Sequence, residues 1–252
     1  MNTQENIYFA SDQHFGLPNA NESRLREKKF IRWLDQIKDD CNTLFLLGDL
    51  FNFWFEYGTV VPKGYVRVLG KLAELKDSGM QIHFFVGNHD LWMKSYFEDE
   101  LGIPVYHKPQ EFIFGKKLFY IGHGDGIGPG DYGYKFMKKI FINPISKWLY
   151  KWLHPDIGMR LASYLSVKNK LISGKEDVLY NGKENEILYH FCKKMASKKQ
   201  YDYFVFGHRH LPLEIQINDH AKYFNSGDWI TQFTYLKFDS NQGKLFLKKF
   251  EE

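Results

Sequence analysis

QIHFFVGNHD (residues 81–90) is an apolar run of strand-forming residues that stops abruptly at four small or polar ones. The pattern recurs along the chain. NIYFAS runs into SDQH (11–14), TLFLL into GD (48–49), KLFYI into GHGD (122–125) and DYFVF into GHRH (207–210). Short apolar runs bounded by turn residues read as buried strands. In open sheets, ligands gather outside the carboxyl ends of such strands. The five endings therefore bring Asp12, His14, Asp49, Asn88, His123, His208 and His210 towards one patch. Taken singly, an Asp-x-His or a Gly-Asp is more often a turn or a helix cap. Five in order, each closing an apolar strand, are hard to attribute to turn chemistry. All seven side chains donate oxygen or nitrogen and none sulfur, which suits Mn²⁺, Fe²⁺ or Zn²⁺. Seven ligands exceed one tetrahedral shell and suit two divalent ions about 3.5–4 Å apart with one carboxylate between them. Glycines before Asp49, Asn88, His123 and His208 allow sharp turns and close approach of backbone to ligands.

Between these strands, helical spacing predicts helices over about 22–38 and 64–77, a broken helical region over 134–172 with stops at Pro144 and Pro155, and a helix over about 176–198. From Glu214 on, short β-like runs follow. This order implies an α/β or α+β fold layered around a central sheet core. The 252 residues fit one domain with an elaborated insertion. Hydrophobic residues at 44% and charged ones at 25% exclude a disordered chain. Cys41 and Cys192 stand far apart, so neither a disulfide framework nor a thiolate cluster is expected, and a reducing compartment is. The N-terminal residues lack the pattern of a signal peptide, and no run reaches the ~18 apolar residues of a membrane span.

Charge is unevenly placed. Residues 130–175 carry Lys135, Lys138, Lys139, Lys147, Lys151, Arg160, Lys168, Lys170 and Lys175 against Asp131 and Asp156, a net +7 in a chain of net +4. The same stretch holds Tyr132, Tyr134, Phe136, Phe141, Trp148, Tyr150, Trp152 and Tyr164. Such a segment suits a membrane surface, an anionic lipid or a nucleic acid. It equally suits a helical pair with a solvated basic face and an aromatic core face. Because the positive charge is confined to this aromatic stretch and does not form an extended groove, nucleic acid is not the expected partner.

The ordered series over residues 8–210 resembles the calcineurin-like metallophosphoesterase family: Asp-x-His, Gly-Asp, Gly-Asn-His-Asp, a later His, then Gly-His-x-His. The resemblance implies a four-layer α/β/β/α sandwich. It implies one ion on Asp12, His14 and His210, a second on Asn88, His123 and His208, and Asp49 bridging both. It also implies that water attacks phosphorus while His89 contacts the phosphate or protonates the leaving group.

Four further stretches narrow it. GDLFNFWFE (48–56), HGDGIGPGDYGYKF (123–136), the basic insertion and NSGDW (225–229) are similar to the UDP-2,3-diacylglucosamine hydrolases of lipid A biosynthesis. That likeness implies cleavage of UDP-2,3-diacylglucosamine to UMP and 2,3-diacylglucosamine 1-phosphate, with Mn²⁺, by a cytoplasmic enzyme peripheral to the inner membrane. Residues 130–175 would form a helical lid over the acyl chains. Substrate contacts would come from Asn88, His89, Asp131, Tyr134, Ser163, Asn169 and Lys175. The chain departs from these hydrolases at His89, where many have Arg, and at Asn52, where an acid is common. A broader phosphoesterase, or a membrane-associated scaffold without activity, is the alternative reading.

Overall fold

The computed structural model describes residues 6–162, 164, 179–180 and 182–251. Ser163, Asn169 and Lys175 lie outside these. The first half builds β1 (Asn6–Ala10), α1 (Ala20–Ile37), β2 (Thr43–Leu46), α2 (Val66–Asp77), β3 (Gln81–Phe85), α3 (Tyr96–Leu101) and β4 (Val105–Tyr106). Then come β5 (Gln110–Phe114), β6 (Lys117–Ile121), α4 (Tyr132–Ile142) and α5 (Pro144–Lys151). After the insertion follow α6 (Ile187–Ala196), β7 (Tyr203–Phe206), β8 (Pro212–Gln216), β9 (Lys222–Ser226), β10 (Thr234–Asp239) and β11 (Lys244–Lys249).

Two sheets result, ordered β11-β10-β1-β2-β3-β4 and β5-β6-β7-β9-β8. In each, the central strands run parallel and antiparallel strands close an edge. Parallel strands covered on both faces read as continuous apolar runs, and alternation sorts their side chains. Ile7, Phe9, Phe45, Phe85, Phe119, Val205 and Phe238 fill the space between the sheets. Tyr8, Ala10, Leu44, Leu46 and Phe84 face the opposite way, onto Phe30, Trp33, Leu72 and Phe97 of α1 to α3. Phe204, Phe206 and Tyr223 of the second sheet pack on Leu188 and Cys192 of α6. The layers are therefore α/β/β/α. Much of the aromatic content is core: Phe9 stacks on Phe45 at 5.2 Å, and Trp33 meets Trp229 at 5.0 Å. Cys41 and Cys192 are both buried and free.

Register places the site. Ala10 pairs with Leu46 and Leu46 with Phe84, while Ile121 pairs with Val205. The loops after β1, β2 and β3, and those after β6 and β7, thus leave neighbouring strand ends side by side. The strands stop several residues short of the expected lengths because the polar endings are not extended. Asp12, His14, Asp49, His208 and His210 all have positive φ, from 45° to 70°, which ends a β ladder. Further differences concern α3, β4 and β5, which sequence spacing did not reveal, and the last helix, which begins at Ile187 and not near 176.

The insertion breaks at Pro144 as expected. Asn143 accepts from Ile145 N at 2.8 Å, with Pro144 in the first turn of α5. Residues 155–162 are helical again, starting at Pro155. Neither α4 nor α5 buries a residue. Their fastening to the body is partly aromatic and partly polar: Trp92 Nε1 donates to the Phe141 carbonyl at 2.7 Å, Tyr150 packs on Phe55 and Trp92 at 4.6 Å, and Tyr134 and Lys138 both donate to Asp125.

This division predicts opposite costs for two aromatic truncations. Phe45→Ala, fully buried between the sheets, should lower unfolding free energy by about 3–5 kcal/mol. Trp152→Ala, 75% exposed, should change it by less than about 0.5 kcal/mol. Denaturant titration of both variants checks the pair.

Candidate metal centre

The five strand endings converge. Asp49 Oδ2 lies 3.5 Å from Nε2 of both His14 and His123. On one side of it, Asp12 Oδ1 stands 3.7 Å from His14 Nε2 and 3.4 Å from His210 Nε2. On the other, Asn88 Oδ1 stands 3.1 Å from His123 Nε2 and 2.9 Å from His208 Nδ1. His89 sits beside them, half-buried, its ring edge-on to His14 at 4.6 Å. Its backbone N–H donates to Asp49 Oδ1 at 2.8 Å, and its Nδ1 donates to the Asn52 carbonyl at 3.0 Å. The two departures from the hydrolases that the sequence resembles, His89 and Asn52, therefore touch one another.

Backbone proximity makes this convergence possible. A Cβ on Gly87 would stand 2.2 Å from Asp49 Oδ1 and 2.6 Å from Asp49 N. A Cβ on Gly207 would stand 2.4 Å from Ser11 Oγ and 2.7 Å from Asp12 Oδ2. At these two positions glycine is needed because a carboxylate occupies the space of a side chain.

Surrounding groups orient the cluster. His123 Nδ1 donates to the Leu47 carbonyl at 2.7 Å, and Asp12 Oδ2 accepts from His208 N at 2.9 Å and from the Ser11 hydroxyl. Asp90, fully buried, accepts from Gly87 N at 2.6 Å and Leu50 N at 3.0 Å, tying two ligand loops together. Sequence reasoning missed Asp228, whose Oδ2 lies 3.3 Å from His210 Nδ1. Its signal was present, since β9 runs into a sixth polar strand ending, Gly227-Asp228. Arg26 donates to the His14 carbonyl at 2.9 Å from within α1. A buried arginine on an amphipathic helix carries no comparable sequence signal.

Asp131 and Tyr134 do not join the cluster. Asp131 is exposed at the start of α4, and its side chain makes no capping bond. The Tyr134 hydroxyl donates to Asp125, as does Lys138 Nζ, and Asp125 lies two residues beyond His123. Tyr134 thus borders the centre through Asp125.

Electrostatics follow from burying carboxylates among imidazoles. Burial alone would push the Asp49 carboxyl up, but His123, His89 and His14 hold it well below the usual range. Burial would depress His123, but Asp49, Asp12 and Asp125 raise it to about 10. Burial and the neighbouring His123 push His208 down to about 3. Burial, with Asp49 beside it, lifts Asp90 to about 7.

This donor set fits divalent cations. Asp12 Oδ1 is buried and makes no hydrogen bond among the described residues. Its neighbours are two imidazole nitrogens, and donor atoms of Asp12, His14 and His210, and of Asp12, Asp49 and His123, lie within 4.8 Å of one another. Adjacent donors about 2.1 Å from one cation stand roughly 3 Å apart, close to the separations seen here.

The family model for calcineurin-like phosphoesterase matches residues 6–212. A UDP-2,3-diacylglucosamine hydrolase of Porphyromonas gingivalis is 36% identical over 245 residues, spanning 92% of this chain and 94% of its own. A UDP-2,3-diacylglucosamine hydrolase of Yersinia pseudotuberculosis is 26% identical over 187 residues, spanning 73% of this chain and 74% of its own.

Two predictions follow from this geometry. Gly87→Ala must displace the Asp49 carboxylate, so Mn²⁺ affinity should fall by about 10–100-fold in a calorimetric titration of metal-stripped protein. Second, Mn²⁺ must displace the proton that His123 holds below about pH 10. The protonated fraction of that imidazole falls as pH rises, so affinity should increase with pH, by up to about tenfold per unit for one proton released. Titrations between about pH 6 and 8, in buffers of different ionisation enthalpy, read both the slope and the proton count. A flat profile would remove His123 from the ligand set.

Proposed function

This chain belongs to the calcineurin-like phosphoesterase family and is a metal-dependent hydrolase, and on that premise we propose that it cleaves the pyrophosphate of UDP-2,3-diacylglucosamine, releasing UMP and 2,3-diacylglucosamine 1-phosphate. The observation that carries this reading is the 36% identity to the Porphyromonas gingivalis hydrolase, which spans 92% of this chain. In this reading Asp12, His14 and His210 hold one cation, Asn88, His123 and His208 the other, and Asp49 touches both. Mn²⁺ is the proposed metal, with Fe or Zn as alternatives. Two bound divalent cations supply Lewis acidity at the phosphoryl oxygens and an activated water.

The protein's own groups do the rest. Asp49, 3.5 Å from both His14 and His123, would serve both cations and offset their charge. Leu47 and Asp228 hold the His123 and His210 rings through their far nitrogens, which sets tautomer and aim. The bond from His89 Nδ1 to the Asn52 carbonyl orients the ring, and His89 is the proposed phosphate contact or the acid that protonates the leaving group. Asn88, His89, Asp131, Tyr134, Ser163, Asn169 and Lys175 are the proposed substrate contacts. Tyr134 reaches this role from a position anchored on Asp125.

Residues 130–175 are the proposed lid. Phe136, Trp148 and Trp152 are more than half exposed on α4, α5 and the residue after α5, among lysines. Exposed apolar surface of this extent marks a lipid or partner site. Each acyl CH₂ taken out of water contributes about 0.8 kcal/mol, and each lysine near an anionic leaflet about 1 kcal/mol. No helix among the described residues is long and apolar enough to cross a membrane. The proposed location is therefore the cytoplasmic face of the inner membrane, held peripherally, with the lipid nucleotide and not nucleic acid as partner.

A mass-resolved product assay tests the substrate. With Mn²⁺, UMP should appear from UDP-2,3-diacylglucosamine and not from UDP-glucosamine. UMP from both would identify a general nucleotide pyrophosphatase instead. Release from neither, by protein that binds Mn²⁺, would discard the substrate and leave the metal centre.

A further inference from the structure

Arg209 stands between two residues that face different parts of the centre. His208 Nδ1 lies 2.9 Å from Asn88 Oδ1, and His210 Nε2 lies 3.4 Å from Asp12 Oδ1. Both histidines are in the left-handed region, at φ 70° and 50°, a conformation that persists only where the surroundings over-determine it. The Arg209 side chain leads away from the centre. Its Nε donates to Glu186 Oε2 at 3.1 Å, and one terminal nitrogen donates to Glu186 Oε1 at 2.8 Å and to the Leu179 carbonyl at 3.2 Å. The Glu186 carboxylate is 3% exposed and immediately precedes α6. Leu179 is the first described residue after Tyr164.

We propose that Arg209 is a positioning residue: its fork on buried Glu186 fixes the 207–210 loop, so that His208 and His210 keep the separation two cations require, and fastens that loop to the chain returning from the insertion. A guanidinium makes two parallel bonds to one carboxylate, which sets orientation as well as distance. The two bonds on Glu186 direct the guanidinium to the chain leading into α6. The inference rests on His208 and His210 being metal ligands.

The test is calorimetric titration of MnCl₂ into metal-stripped full-length protein, well below the melting temperature of each variant. Arg209→Ala and Glu186→Gln should each weaken Mn²⁺ binding by about 10–100-fold. The double variant should be no weaker than Arg209→Ala, because one pair is lost in all three. Arg209→Lys should recover only part of the loss, since an ammonium cannot form the fork. Wild-type Mn²⁺ affinity in Arg209→Ala, with a raised KM, would overturn the proposal and place the guanidinium on substrate. Losses that multiply in the double variant would overturn it too, by showing two independent roles. His208→Ala separates the two levels: if it binds Mn²⁺ as the wild type does, the metal assignment itself fails.

Discussion

A carboxylate buried between imidazoles governs this molecule. Asp49 is almost fully buried, 3.5 Å from two histidine nitrogens, and Asp12 is buried nearby with one oxygen that makes no hydrogen bond among the described residues. Isolated charges in such a place are costly. Opposite charge must reach them, from protonated histidine in the metal-free protein and from divalent cations in the loaded one. The surrounding architecture follows from that requirement.

The sheets supply the positions and the strand endings supply the directions. Parallel strands in register deliver their loops to one edge, and left-handed backbone at Asp12, His14, Asp49, His208 and His210 ends the strands there. Gly87 and Gly207 lie where neighbouring carboxylates leave no room for a Cβ. Holding so many strained residues costs roughly 1–3 kcal/mol each. The aromatic core between the sheets, with rings from Phe9, Phe45 and Phe119 in contact, is the reservoir of burial that sustains them. Buried polar groups such as Asp90, Asp228 and Arg26 then fix the loops against one another.

The insertion obeys different rules. α4 and α5 carry the aromatic density of a core, yet none of their residues is fully buried. It meets the body through Trp92, Phe55 and Tyr150, next to the ligand loops.

Local pattern sufficed for part of this. The apolar runs and their polar endings were legible because burial on both faces and a forced turn each leave a direct mark on residue type. The layered fold and the seven residues from Asp12 to His210 that meet at the strand ends were readable in that way, whereas His89 was singled out only through the family resemblance. So was the break at Pro144, where the missing N–H and fixed φ act locally. The sequence also displayed Asp228 in a Gly-Asp ending but gave no means of ranking it. What only the tertiary structure decided are pairings across distance: Arg209 with Glu186, Arg26 with the His14 carbonyl, Tyr134 with Asp125, and His89 with Asn52. It also decided that α3, β4 and β5 form and that the last helix starts at Ile187. These depend on which surfaces meet once the sheets stack, and stacking is a sum of non-directional apolar contacts that no single segment encodes.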